Sequence, residues 1–306
     1  MAVLAILAGT CFSIVAIAYR LGAPRGVGPV HVMGTCSLLG AAFFGVQALG
    51  APGGGAGTLV VALGLLAGVT QYALLPLIRA ALRLGPLSPL WCVLMLSFIP
   101  TTLYAALVLG ETLGPLNYAA MAAAVLCVGL ACVGKGGSAA GVAAGPRHRL
   151  RYAAMLAAML MIGAVAGVCL KELDSRGDGA GGTLLARHRD AYIAVMYAAI
   201  AACAVTDVTL TRGRPASWRW TIGLGLMAAA GSLTGMSLLV RAAVLPAAVV
   251  FTLNSVSSIV FTSLVAAALL GEKRTWSWYA TLACGLLAVA LSNGEAIITY
   301  LREGSS

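Results

Sequence analysis

Unbroken apolar runs of about 18–24 residues recur along this chain, the length a helix needs to cross the hydrocarbon of a bilayer. No water is available there to satisfy backbone amides, so only helices or closed barrels can span it. A barrel would show strands of about ten residues alternating polar and apolar, and that alternation is absent. Hydrophobic residues make up 61% of the chain and charged residues 9%, against roughly 25% charged in soluble domains. A soluble fold of this size could not cover so much apolar surface. Ten runs are read, at 2–19, 30–49, 59–78, 87–109, 116–133, 152–170, 191–210, 221–240, 247–270 and 276–291. The expectation is an all-α integral membrane protein with ten transmembrane helices. The run at 2–19 is read as the first helix, because no charged segment and cleavage site surround it.

The polar residues exclude several function classes. The net charge is +10, but the basic residues sit at the ends of apolar runs. They read as topology and lipid-headgroup contacts, and no basic groove with interleaved aromatics points to nucleic acid. The eight cysteines form no CxxC and no Cys/His cluster, so neither metal site nor disulfide framework is expected. His31 stands at a helix start, and His148 and His188 fall between runs. With no HExxH and no paired carboxylates, no enzyme and no cofactor are expected. Residues 171–190 form the longest polar stretch, a place for disorder or a short surface helix.

The chain repeats itself. Ser97–Glu111 reads SFIPTTLYAALVLGE and Ser258–Glu272 reads SIVFTSLVAAALLGE, identical at eight of fifteen positions. The match continues without gaps to Tyr118/Tyr279 and Ala119/Ala280. IRAA at Ile78–Ala81 resembles VRAA at Val240–Ala243, one residue out of register. Low complexity explains Ala and Leu matches but not Ser, Thr, Gly-Glu and Tyr at one offset. Each half carries five runs. Five is odd, so the second half enters the membrane from the opposite side, giving two inverted five-helix repeats of the kind that place a site between two related gates. The expected domains are residues 1–134, a Gly/Ala-rich then basic linker at 135–151, residues 152–295, and a tail at 296–306.

With the repeated LGE and with Pro100 inside the fourth run, the chain resembles the drug/metabolite transporter superfamily, and within it the ten-helix EamA-type transporters. The resemblance covers about residues 2–295. Phe261 stands where the second half would match Pro100, so the two fourth helices should kink differently. The resemblance implies a central cavity lined mainly by helices 3, 4, 8 and 9, a bacterial cytoplasmic membrane, and small-molecule substrates. It implies both termini in the cytoplasm.

Candidate cavity residues follow from polar positions inside apolar runs, where facing lipid is unfavourable. Ser97 and Thr101 share one helical face, as do Asn254, Ser258 and Thr262. Each Ser or Thr either lines a cavity or bonds back to its own or a neighbouring helix. Asn254 cannot satisfy its amide so easily and is assigned to the cavity. Gln71 and Tyr72 in the third run serve the cavity or a helix contact. Trp91 is either a stacking ring or an interface anchor. Arg79, with Arg83, and Arg241 are anion clamps or snorkelling anchors. Glu111 and Glu272 are expected to cap the helix that follows each, the alternative being a proton or gating role. Gly64/Gly68, Gly163/Gly167 and Gly231/Gly235 have the spacing of close helix contacts, within a monomer or between subunits of a homodimer. The first run has no acid, and no carboxylate lies deep in any run, which favours uncoupled movement of amino acids or related organic solutes by alternating access. A lipid-linked carrier or flippase, or a nucleotide-sugar-type transporter, is the alternative.

Orientation is a direct prediction. Odd-numbered loops hold thirteen of the 19 Lys and Arg and the other side holds six. Basic loops stay in the cytoplasm, which places both termini outside, against the family resemblance. An impermeant thiol reagent on Ser305→Cys should therefore label intact cells. Labelling only after permeabilisation, with Gly137→Cys as the reciprocal control, would overturn the charge argument.

Overall fold

The computed structural model describes residues 1–50, 57–84, 94–133, 146–177, 182–211, 215, 217–269, 276–292 and 294. The described residues are helical: α1 Ala2–Gly22, α2 Pro29–Gly50, α3 Thr58–Leu84, α4 Phe98–Leu107, α5 Pro115–Val133, α6 Pro146–Ser175, α7 Leu184–Thr211, α8 Trp218–Ala242, α9 Ala247–Leu269 and α10 Trp276–Ser292. Among the described residues, six helical segments are long and apolar enough to cross a membrane: Ala2–Arg25, Pro29–Gly50, Thr58–Ala80, Leu184–Thr211, Trp218–Ala242 and Ala247–Val265. Trp91, Glu272, the tail 296–306 and residues 135–145 of the expected linker lie outside the described residues, as does the side chain of Arg83.

Around the linker and the polar stretch, three boundaries differ from the sequence reading. Residues 146–151 of the expected linker are helical, and α6 runs on through Lys171 to Ser175. At the other end of the polar stretch, α7 begins at Leu184 rather than at 191, with a non-helical step at His188 (φ −114°, ψ 23°). An isolated antiparallel bridge joins Gly177 to Thr183. In the sequence, charge marks the end of each span, but here charged side chains find partners and the helices continue.

Packing follows a regular scheme. α1 lies against α8 and α9, and α6 lies against α3 and α4. α2 packs on α7 and α8, α3 on α7, α4 on α9, and α5 on α10. Replacing each helix by the one five places along the chain turns α1–α8 into α6–α3, α1–α9 into α6–α4 and α2–α8 into α7–α3. The glycine pairs give the directions. Gly231 abuts Cys11 and Ile14 while Gly235 abuts Ala8 and Phe12, so α1 and α8 are antiparallel. Gly9 abuts Asn254 and Ser257, and Ser13 bonds to Ser258 further along, so α1 and α9 are parallel. Gly163 faces Ser97 and Gly167 faces Thr101, making α6 and α4 parallel in the same way. Gly64 meets Tyr192 and Val195, and Gly68 meets Met196 and Ala199, along parallel α3 and α7. All three GxxxG pairs therefore serve contacts within the chain, where small residues let backbones approach closely.

Candidate functional site

A cavity of 270 Å³ lies where α1, α3, α4, α6, α7, α8 and α9 converge, with Met33 of α2 also at its wall. Most of its wall is apolar, with Phe12, Met95, Met196, Met236 and Phe251 among the large side chains. Its polar members are few: Gln71, Ser97, Thr101, Ser232, Asn254 and Ser255, with the phenols Tyr19, Tyr192 and Tyr197. Among the described residues, no Asp, Glu, Lys, Arg or His lines it. A mostly apolar wall with a few placed polar groups is typical of small-molecule sites.

The two halves supply this wall at matching positions. Gln71 and Ser232, Leu75 and Met236, Ile78 and Leu239, and Leu94 and Ser255 all line it, at the same sequence offset as Ser97 and Ser258. Local backbone breaks accompany the polar positions of the first half. Proline cannot donate to the carbonyl four residues back. Pro100 accordingly leaves the chain turning at Leu96–Ser97 before α4 starts, with the Ile99 amide bonding to Leu96 O at 2.9 Å. Pro76 inside α3 likewise withdraws a donor from the Tyr72 carbonyl, beside Gln71. α9 runs unbroken through Phe261.

The sequence candidates separate into groups. Gln71, Ser97, Thr101 and Asn254 come together in the cavity wall. Thr101 is also bonded, its Oγ1 donating to Ser97 O (3.2 Å) and Ala164 O (3.1 Å), so it ties α4 to α6 as well. The Asn254 Oδ1 is buried with no hydrogen-bond donor among the described residues. Tyr72, Ser258 and Thr262 are not in the wall. Tyr72 lies beside Asp207 of α7 instead. Ser258 is sealed between helices, where Ser13 Oγ donates to its carbonyl at 3.0 Å and lies 3.3 Å from its hydroxyl. The Thr262 hydroxyl is buried away from the cavity. Arg79 and Arg241 are exposed and outside the wall, as long cations at helix ends are when their heads seek water.

Sequence reasoning missed Tyr197 and Ser232, whose hydroxyls lie 2.7 Å apart in the buried wall. The signal for Ser232 was available: it occupies the Gln71 position of the second half. Tyr197 is also stacked on Phe44, with ring centroids 6.0 Å apart, and Gly40 gives it room. Tyr197→Phe removes one bond and should lower stability by about 1 kcal/mol, seen as a thermal midpoint a few degrees lower in detergent.

The first LGE motif has a clear mechanical role. Gly110 takes a left-handed conformation (φ 73°), which ends α4 cheaply because glycine has no Cβ. The Glu111 amide then bonds back to Ala105 O at 3.1 Å. The Glu111 carboxylate does not cap α5, as the sequence led us to expect. Its Oε2 accepts the Ala247 amide at 2.7 Å, at the start of α9, and its Oε1 lies 2.7 Å from Lys171 Nζ. Beside this pair, Asp174 lies 3.6 Å from the same ammonium, and burial pushes its carboxyl above its ordinary range, opposed by Lys171. Glu172 is held below the ordinary range by Arg176, and by the Tyr104 phenol donating at 2.8 Å.

Comparison with known proteins adds the fold alone. No family model matches the chain, and no curated protein matches it. A solved structure described only as the crystal structure of a protein is similar over 95% of this chain and 97% of that one, with TM-score 0.69 and 18% identity.

Proposed function

We propose that this chain is a membrane transporter of small metabolites, amino acids or related organic solutes, working by alternating access between two inverted five-helix repeats. The observation that carries the reading is the cavity, whose wall draws matching positions from both halves. A site shared between related halves can be exposed to either face by rocking one half against the other. The helix directions support the inversion: α1 runs parallel to α9 and antiparallel to α8, the arrangement that ten alternating crossings require. The repeated LGE, Pro100 and the ten-run count support placement among the EamA-type drug/metabolite transporters. The uncharged wall favours uncoupled movement, since proton-driven transport usually needs an ionisable group in the membrane. Arg79 and Arg241 stand off the cavity, so nothing there favours a headgroup clamp for a lipid-linked substrate.

Flux into proteoliposomes tests this directly. With a panel of amino acids, amines and sugars, at least one solute should enter saturably, and a pH gradient should not change its rate. Failure of every solute to exceed protein-free liposomes would sink the reading.

A further inference from the structure

Lys171 is the most enclosed charge among the described residues, its side chain 3% exposed. Its ammonium is fully partnered: Glu111 Oε1 at 2.7 Å, Leu245 O at 3.0 Å and Ala243 O at 3.1 Å, with Asp174 as a second carboxylate at 3.6 Å. Glu111 completes the knot by accepting the Ala247 amide. Every member except Glu111 belongs to the second half. The carboxylate reaches from the α4–α5 turn into the α8–α9 turn and the end of α6.

The position of this knot matters more than its strength. Lys171 adjoins Leu170 of the cavity wall, and Ala247 lies one turn before Phe251 of the same wall. The helix directions put the α4–α5 and α8–α9 turns, the end of α6 and the start of α1 on one face. The knot therefore forms the floor of the cavity on the face that carries Met1. A charge removed from water is tolerable only while its partners stay in place. Drawing the first-half turn away from the second half would open the floor and admit water to both charges at once.

We infer that Glu111 and Lys171 form the gate latch of this face, holding the cavity shut there and parting when it opens. This rests on the transporter reading but is tested without transport. Ala166→Cys, in the cavity wall on α6, is placed in a background with the native cysteines replaced, and its labelling by an impermeant thiol reagent is measured separately from each face. Glu111→Gln keeps an acceptor for the Ala247 amide and removes the charge. The double variant Glu111→Gln, Lys171→Met removes both charges of the pair, and Asp174, whose carboxyl burial already pushes above its ordinary range, can take up a proton once its cation is gone, so the variant folds even if a single variant does not. Both should raise labelling from the Met1 face roughly tenfold and lower it from the other, as a shift of population requires. Asp174→Asn should shift it less, in the same direction. Unchanged labelling from the Met1 face in the well-folded double variant would overturn the latch, whatever the flux. Shifted labelling without flux of any solute would uphold the latch and count against the proposed substrates.

Discussion

Replacing Gly9 by leucine is expected to leave little folded protein. A Cβ at Gly9 would overlap the Asn254 carbonyl and the Ser257 hydroxyl. Neither can yield cheaply. The first is backbone of α9, and the second is held by bonds to Leu253 O and Asn254 O, at 2.6 and 3.1 Å. The helices would have to separate, parting Ser13 from Ser258 a turn further on. Overpacking a closed contact costs about 1–3 kcal/mol where side chains can adjust and more where backbone must move. The loss should appear as aggregation on size exclusion in detergent. Gly45→Leu is the matched control, since nothing lies within 4 Å of a Cβ there. A Gly9→Leu protein as monodisperse and heat-stable as the control would show that α1 and α9 do not pack this way.

That contact illustrates what the sequence does and does not display. The long apolar helices are legible because hydropathy and length are local properties of each segment. The glycine pairs are legible as contacts, but their spacing says nothing about which helix each one meets. Gln71, Ser97 and Asn254 stand out because a polar group within an apolar run needs a reason. The same reasoning cannot separate Asn254, which lines the cavity, from Ser258 one turn on, which is sealed against Ser13. That difference depends on where α1 lies. Lys171 shows the limit most clearly. Read alone, a lysine after an apolar run ends the span and faces water. It is buried because Glu111, sixty residues earlier in the chain, and two carbonyls of the α8–α9 turn converge on it. Glu111 misleads for the same reason, since the helix start it serves is not the next one but that of α9. The continuation of α6 to Ser175 then follows from the burial of a charge whose partners are distant in sequence.

Substituting Asn254 by leucine should separate stability from function. Its Oδ1 is buried without a donor among the described residues, and an unmet acceptor of this kind costs about 1–3 kcal/mol. Leucine has similar bulk and removes that cost, while the backbone carbonyl at 254 remains to meet Gly9 and Ser257. The folded protein should therefore be as stable as the wild type or more so, by about 1 kcal/mol. Under the proposed transport function, uptake should move the other way. Asn254 is the carboxamide that the second half contributes to the cavity wall, as Gln71 is that of the first. Removing one hydrogen bond to a bound solute at about 1.4 kcal/mol lowers affinity tenfold, so saturable flux at low solute concentration should fall by about that factor or more. The two measurements belong together: a thermal midpoint in detergent and initial uptake in proteoliposomes, on the same preparation. Unchanged uptake would remove Asn254 from the site. A lowered midpoint would show that its amide has a structural partner, and that its place in the wall is a matter of packing.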